Sequence, residues 1–390
     1  MLLFLFYVIM AFREGVYIMS NITLSKRNAG LDLLKIFSTF LVVILHLLGA
    51  GGILSSVEPL SANYNITWLL ETIAYNSVNI FCITTGFVYA KTQNHRWNKL
   101  FNLWGAVFFY SVIFAGVFFL SGKIVFAEAI YNSMPVTNKN HWYFSAYVCL
   151  WLFIPYINKM LCTLSKKQHV TLILIGFVLF CCHYFAYGIL QTDIYVLKSG
   201  YSPLWLLYLY FIGSYISLHG ENLKKIKQST LLIIFVACNL LAWGIKMIFV
   251  FIGTDFTDKL SGMIVSYPSP PMVVSSVTLF LIFINLKVKE SKFIQTLSAT
   301  AFFVYILHTN PLFYFNILSD SLVFISDKPW YILIFSVLGI AIAIYLICTI
   351  IDILRQKLFA IIHINKLYNF IIKYLSKIFS SVRNYISGKA

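Results

Sequence analysis

The chain has 390 residues, of which 60% are hydrophobic and only 11% charged, with 29 Lys and Arg against 13 Asp and Glu for a formal charge of +16. A soluble domain carries about 25% charged residues, so this composition excludes an ordinary water-soluble enzyme and puts most of the chain in lipid. Whether the positive surplus signals nucleic acid depends on where it falls.

Residues 1–12 (MLLFLFYVIMAF) are apolar but too short to span a bilayer, and they lack the basic start and small-residue cleavage site of a signal peptide. Residues 1–26 are therefore expected to stand outside the fold, with Met19 as an alternative start. From residue 27 to 354 the sequence predicts an all-α, polytopic membrane domain, about ten transmembrane helices in one bundle. The expected spans lie near 31–50, 66–90, 101–121, 142–162, 170–190, 203–219, 229–252, 264–286, 296–317 and 330–352, the eighth interrupted at its start by Pro268, Pro270 and Pro271. Residues 355–390 alternate basic and apolar positions and are expected to lie as an amphipathic tail on an anionic leaflet.

Lys and Arg sort by connection. The stretch before the first span and the loops after the second, fourth, sixth and eighth each carry three, and the tail carries seven. The alternate loops hold Lys123, Lys139, Lys198, Lys259 and Lys328. Basic loops stay in the cytoplasm, so both termini are expected to be cytoplasmic, and orientation accounts for the charge. Nucleic acid is not needed. The seven cysteines form no CxxC pair or metal-ligand spacing, and neither a disulfide nor a metal is expected.

The first span, LDLLKIFSTFLVVILH, carries Asp32, Lys35, Thr39 and His46. Lys35 and His46 are eleven residues apart, about three turns plus 20°, and Asp32 falls within about 40° of the same line. A polar stripe facing lipid is very unfavourable, so this face is expected to line the interior of the bundle. Asp32 and Lys35 can be an ion pair at the interface, three residues apart on the helix, with the lysine snorkelling. His46 can be a structural histidine or a general base toward a hydroxyl. The second span adds Asn76, Asn79, Thr84, Thr85 and Gly86, which read either as interhelical hydrogen bonding and close packing or as the wall of a tunnel. Glu71 is a candidate to orient a histidine. In the ninth span His308 stands at a depth comparable to that of His46.

With these residues in view, LDLLKIFSTFLVVILH resembles the opening helix of the integral-membrane acyltransferase-3 family, which reads L-D-x-L-R with a histidine eleven residues after the arginine; Lys35 stands in the arginine's place. FCITTGFVYA (81–90) is similar to the family's F-x-x-I-S-G-F element, with Thr85 for serine. HRWNKL (95–100) occupies the place of a basic R-x-x-R motif, NKNHWYFSAYVCLWLFIPYINKML (138–161) resembles the segment entering the fourth span, and LSATAFFVYILHTNP (297–311) the helix ending in a histidine, His308.

The resemblance implies an O-acyltransferase that moves an acyl group, acetyl being expected, from cytoplasmic acyl-CoA to a hydroxyl of a cell-surface or lipid-linked glycan at a bacterial cell membrane. His46, Asp32 and His308 are then the expected catalytic residues, with His46 as general base or transient acyl acceptor. Lys35, Arg96 and Lys99 would meet the CoA phosphates as charge-assisted partners, and Thr85 and Gly86 would border the donor. Lysine lacks the bidentate fork of arginine, so Lys35 offers charge without that geometry. A flippase or exporter of lipid-linked sugar, or a polysaccharide polymerase, is the competing reading. The short outer loops count against a polymerase and the lack of an inverted repeat against a transporter.

Overall fold

The computed structural model describes residues 28–95, 97–136, 141–190 and 192–374. The segment 1–26, Arg96 and the end of the basic tail lie outside the described residues. Among those described, the fold is all-helical: α1 (Ala29–Leu48), α2 (Ala62–Ala74), α3 (Asn76–Tyr89), α4 (Trp97–Leu120), α5 (Trp142–Thr163), α6 (Lys166–Phe177), α7 (Pro203–His219), α8 (Gln228–Ile252), α9 (Asp255–Ile264), α10 (Pro270–Ile284), α11 (Lys292–His308) and α12 (Trp330–Ile361), with shorter turns between them.

Among the described residues, seven helices are long and apolar enough to cross a bilayer, with α2 and α3 running as one span, and an eighth span results if a bent pair counts once. That differs from the expected ten for a local reason. The sixth and eighth expected spans are α7 and α10, of 17 and 15 residues, about 25 and 22 Å long at 1.5 Å per residue and short of the ~30 Å hydrocarbon layer. Both begin at prolines, which are favoured in a first helical turn and cannot continue a helix backwards. The ninth is broken: α11 ends at His308 and the chain resumes at Pro311–Leu318 bent by 53°. The chain is a multi-pass membrane protein.

The chain divides into two compact units. One holds residues 28–91 and 160–349 and carries every residue of the candidate site below. Its second span is pinned by amide side chains. Asn76 Nδ2 donates to Asn239 Oδ1 of α8 at 3.1 Å, and Ser276 Oγ of α10 donates to Asn76 Oδ1 at 2.9 Å. Asn79 Nδ2 donates to the Tyr267 carbonyl at 3.0 Å while Asn79 Oδ1 accepts from Trp205 Nε1 of α7 at 3.0 Å. Such bonds contribute about 0.6 kcal/mol each in a membrane, but an unmet amide there would cost several. The interhelical reading of Asn76 and Asn79 is therefore what the contacts support.

Close packing supplies the rest. A Cβ on Gly86 would fall on the Tyr210 carbonyl oxygen of α7, and one on Gly213 of α7 would fall on the Ile83 carbonyl of α3. Two backbones meet where neither residue has a side chain.

The other unit holds residues 92–159 and the chain from residue 350. Its polar centre is Asp352 of α12, fully buried. It accepts from Tyr110 of α4, from Arg355 Nε and from Gln356 Nε2, each at 2.7 Å. A buried carboxylate with three donors is satisfied and structural.

Candidate active site

Helix α1 begins where Asn28 accepts from the amides of Gly30 and Leu31, so the helix register is set by a side-chain cap. That register turns Asp32, Thr39 and His46 toward α11. Ser298 Oγ donates to Asp32 Oδ1 at 2.7 Å, Thr39 Oγ1 donates to the Ala301 carbonyl at 3.4 Å, and His46 Nδ1 meets His308 Nε2 at 2.9 Å. The three polar residues of one helix are answered in order along the other, away from lipid.

Hydrogen-bond roles follow from the far side of His308. Its Nδ1 lies 2.6 Å from the Val304 carbonyl, and a carbonyl only accepts, so that nitrogen carries the proton. In the neutral ring Nε2 is then a bare acceptor, and His46 must donate to it from Nδ1. The lone pair of His46 is left on Nε2. One hydrogen bond to a backbone carbonyl thus sets the tautomers of two imidazoles. His308 is 2% exposed, whereas His46 is only partly buried. The Tyr314 ring stands edge-on to His46, centroids 5.5 Å apart.

The break after α11 builds this corner. Asn310 caps the next turn, accepting from the Leu312 amide, and Pro311 supplies no amide to the preceding helix. A π turn, Tyr314–Leu318, then carries Tyr314 back beside His46. The following strap is tied to the glycine turn after α1: Asp320 N donates to the Ala50 carbonyl at 2.8 Å and Leu322 N to the Gly51 carbonyl at 2.9 Å. Gly52 has φ +85°, and a Cβ there would lie 2.7 Å from Val323 Cγ2 and 2.8 Å from Asp320 Oδ1. Both the backbone angle and the space require glycine.

Among the remaining sequence candidates, Lys35 Nζ lies 3.8 Å from Asp32 Oδ1 with the lysine side chain 41% exposed, which is the interfacial ion pair. Thr85 Oγ1 donates to the Phe81 carbonyl of its own helix at 2.9 Å, and Gly86 is taken up by the α7 crossing. Lys99 is exposed in the unit that does not contain the histidines, and Arg96 lies outside the described residues. Glu71 was a candidate to orient a histidine. It does not: His308 is held by Val304 and His46 by His308, while Glu71 Oε2 is buried without a hydrogen-bond partner. Among the described residues, no set of three His, Cys, Asp or Glu is grouped to hold a metal.

Three residues at the site escaped the sequence reading: Ser298, the partner of Asp32; Tyr314; and Lys246, whose Nζ sits 3.5 Å from the centroid of Trp68. Asn310-Pro311 just after His308 was the available sign that the chain turns there and brings new groups to the histidine.

A family model described as an acyltransferase domain matches residues 28–348. No curated protein and no solved structure matches the chain.

Proposed function

The chain belongs to the acyltransferase-3 family of acyltransferase domains and is a membrane acyltransferase, and from that premise we propose that it carries an acyl group, acetyl in the simplest case, from cytoplasmic acyl-CoA to a hydroxyl of a cell-surface or lipid-linked glycan. The observation that carries this reading is the oriented pair His46–His308. His46 Nε2 accepts the proton of the acceptor hydroxyl as the oxygen attacks the thioester carbonyl carbon. The carbon–sulfur bond breaks, and the CoA thiolate takes the proton from the His46 imidazolium, giving free CoA and the acyl ester. While His46 is charged, its Nδ1–H bond to His308 Nε2 strengthens, because a cationic donor binds a neutral acceptor more tightly.

Asp32 and Lys35 stand about 21 and about 16.5 Å from His46 along α1, at 1.5 Å per residue. With the basic loops in the cytoplasm, that end faces the donor compartment, both termini are cytoplasmic, and the histidines lie toward the far side of a bacterial cell membrane. CoA phosphates remain in water near Lys35. The donor's acyl arm therefore reaches along the helix to the histidines.

The test is mass spectrometry of surface glycan from cells carrying wild-type protein or His46→Ala at equal membrane abundance. Loss of an acyl increment only in the variant is expected. An unchanged glycan mass in cells lacking the protein altogether would remove the reading.

A further inference from the structure

Beside the histidine pair lies a second set of ionisable groups that the acyl-transfer step does not use. Glu71 of α2 is 4% exposed and Lys246 of α8 is 3% exposed. They lie within electrostatic reach of each other, yet they are not a closed ion pair. Lys246 Nζ sits on the Trp68 ring at 3.5 Å and faces the Ser261 carbonyl and hydroxyl at 3.4 and 3.5 Å. The Glu71 carboxylate has an oxygen with no donor at all. An uncompensated carboxylate in the interior is expensive, and the fold leaves it open rather than closing it with the cation at hand.

Around it stand tyrosines held in place. Tyr267 packs against Tyr75 and Tyr201 with centroids 5.0 and 5.3 Å apart, and its backbone is tied to α3 by Asn79. Helix α2, which carries Glu71, packs against α1, the helix of His46, and against α8, the helix of Lys246. Connectivity puts all of these at one end of the bundle: the late turns of α1, α8 and α11, the first half of the α2–α3 span, and the chain just ahead of α7 and α10.

We infer that Glu71 is the acceptor-positioning residue of this enzyme, binding hydroxyls of the sugar ring adjacent to the one that His46 deprotonates, with the tyrosine cluster as the apolar floor. A carboxylate lacking donors matches a ring whose hydroxyls are donors, and aromatic faces match its C–H face. The inference rests on the acyl-transfer reading above and adds that selection among sugars is made at Glu71.

The test uses the full chain in liposomes, labelled acetyl-CoA, and the methyl glycosides of glucose, galactose and N-acetylglucosamine as acceptors. Acetyl-CoA hydrolysis without acceptor is measured in parallel as the donor-side control. Glu71→Gln is expected to raise the KM of the preferred glycoside by about tenfold, because one oxygen of a site built for hydroxyl donors becomes an amide NH2 that cannot accept, while hydrolysis stays within about twofold. A deoxy version of that glycoside, lacking the neighbouring hydroxyl, is expected to show no further loss in the variant. The inference is overturned if the KM does not move, if hydrolysis falls in parallel with transfer, or if wild-type protein hydrolyses acetyl-CoA but acylates none of the glycosides. Wild-type protein that does neither would instead remove the acyl-transfer reading, and this inference with it.

Discussion

His308 faces His46 with a bare Nε2 because its own Nδ1 proton is committed to the Val304 carbonyl, 2.6 Å away. In the proposed mechanism the base is therefore oriented by a second imidazole and not by a carboxylate. A neutral orienting partner leaves His46 without the permanent charge stabilisation that an acid would give, and makes the geometry of the pair the controlling variable.

Replacing His46 by Ala is expected to reduce acyl transfer by about 10²–10⁴-fold, the usual contribution of a general base. His308→Ala should have a smaller effect, and His308→Gln smaller still, because a glutamine oxygen can accept from His46 Nδ1. The double variant should be no worse than His46→Ala alone, since the two act as a unit. Rates on purified protein at matched membrane abundance check this; additive losses would separate the residues.

Asp32→Ala leaves the buried Ser298 hydroxyl without its acceptor and is expected to destabilise the protein by about 1–3 kcal/mol. Lys35→Ala, at a 41% exposed side chain, should change stability by less than about 1 kcal/mol while raising the KM for acyl-CoA. Thermal unfolding in detergent together with donor kinetics separates the two roles. A Lys35 variant with unaltered donor KM would take that residue out of the donor site.

Gly86→Ala should destabilise the chain by about 1–3 kcal/mol as α3 and α7 are forced apart. Gly116→Ala, where an added methyl meets nothing within 4 Å, serves as the control and should be neutral or slightly stabilising. Abundance and unfolding temperature of the two variants are the readout.

Burial beside Trp97 and Trp151 lowers His95 from its usual value to about 4. The folded form prefers the neutral ring, so this contribution to stability is fully present above about pH 6.5 and fades as pH falls toward 4. His95→Phe is expected to flatten the acid side of the stability profile between those limits and to leave the donor KM unchanged. Unfolding temperatures across that window measure it.

Gly52→Ala should displace the 320–323 strap through its positive φ and the contact with Val323, with backbone strain of about 1–3 kcal/mol. Transfer is expected to fall as far as in His308→Ala although neither histidine is altered. Preserved activity would show that the strap does not set the pair.

The stripe of α1 was legible because helical period alone aligns Asp32, Thr39 and His46. Their partners were not: Ser298 and His308 lie more than 260 residues away, and nothing in a local pattern reports which helix will face which. Ten spans were expected, and helices shorter than the usual span begin at Pro203 and Pro270, since hydropathy counts apolar residues without registering where the backbone can begin to coil. Gly86 illustrates the same limit from the other side. Its two readings, passage or packing, differ only in whether another backbone lies against it, and α7 does.

The two imidazoles are separated by 262 positions in the chain, and this bears on biogenesis. When the nascent chain inserts, α1 enters the bilayer with Asp32 and His46 long before α11 has been synthesised, with the burden of polar groups whose partners Ser298 and His308 are still to come. Release of that burden coincides with completion of the active pair. A polypeptide cut short before residue 292 would keep an imidazole in the bilayer without the ring that receives its proton, a mark by which membrane quality control can distinguish unfinished copies from finished ones.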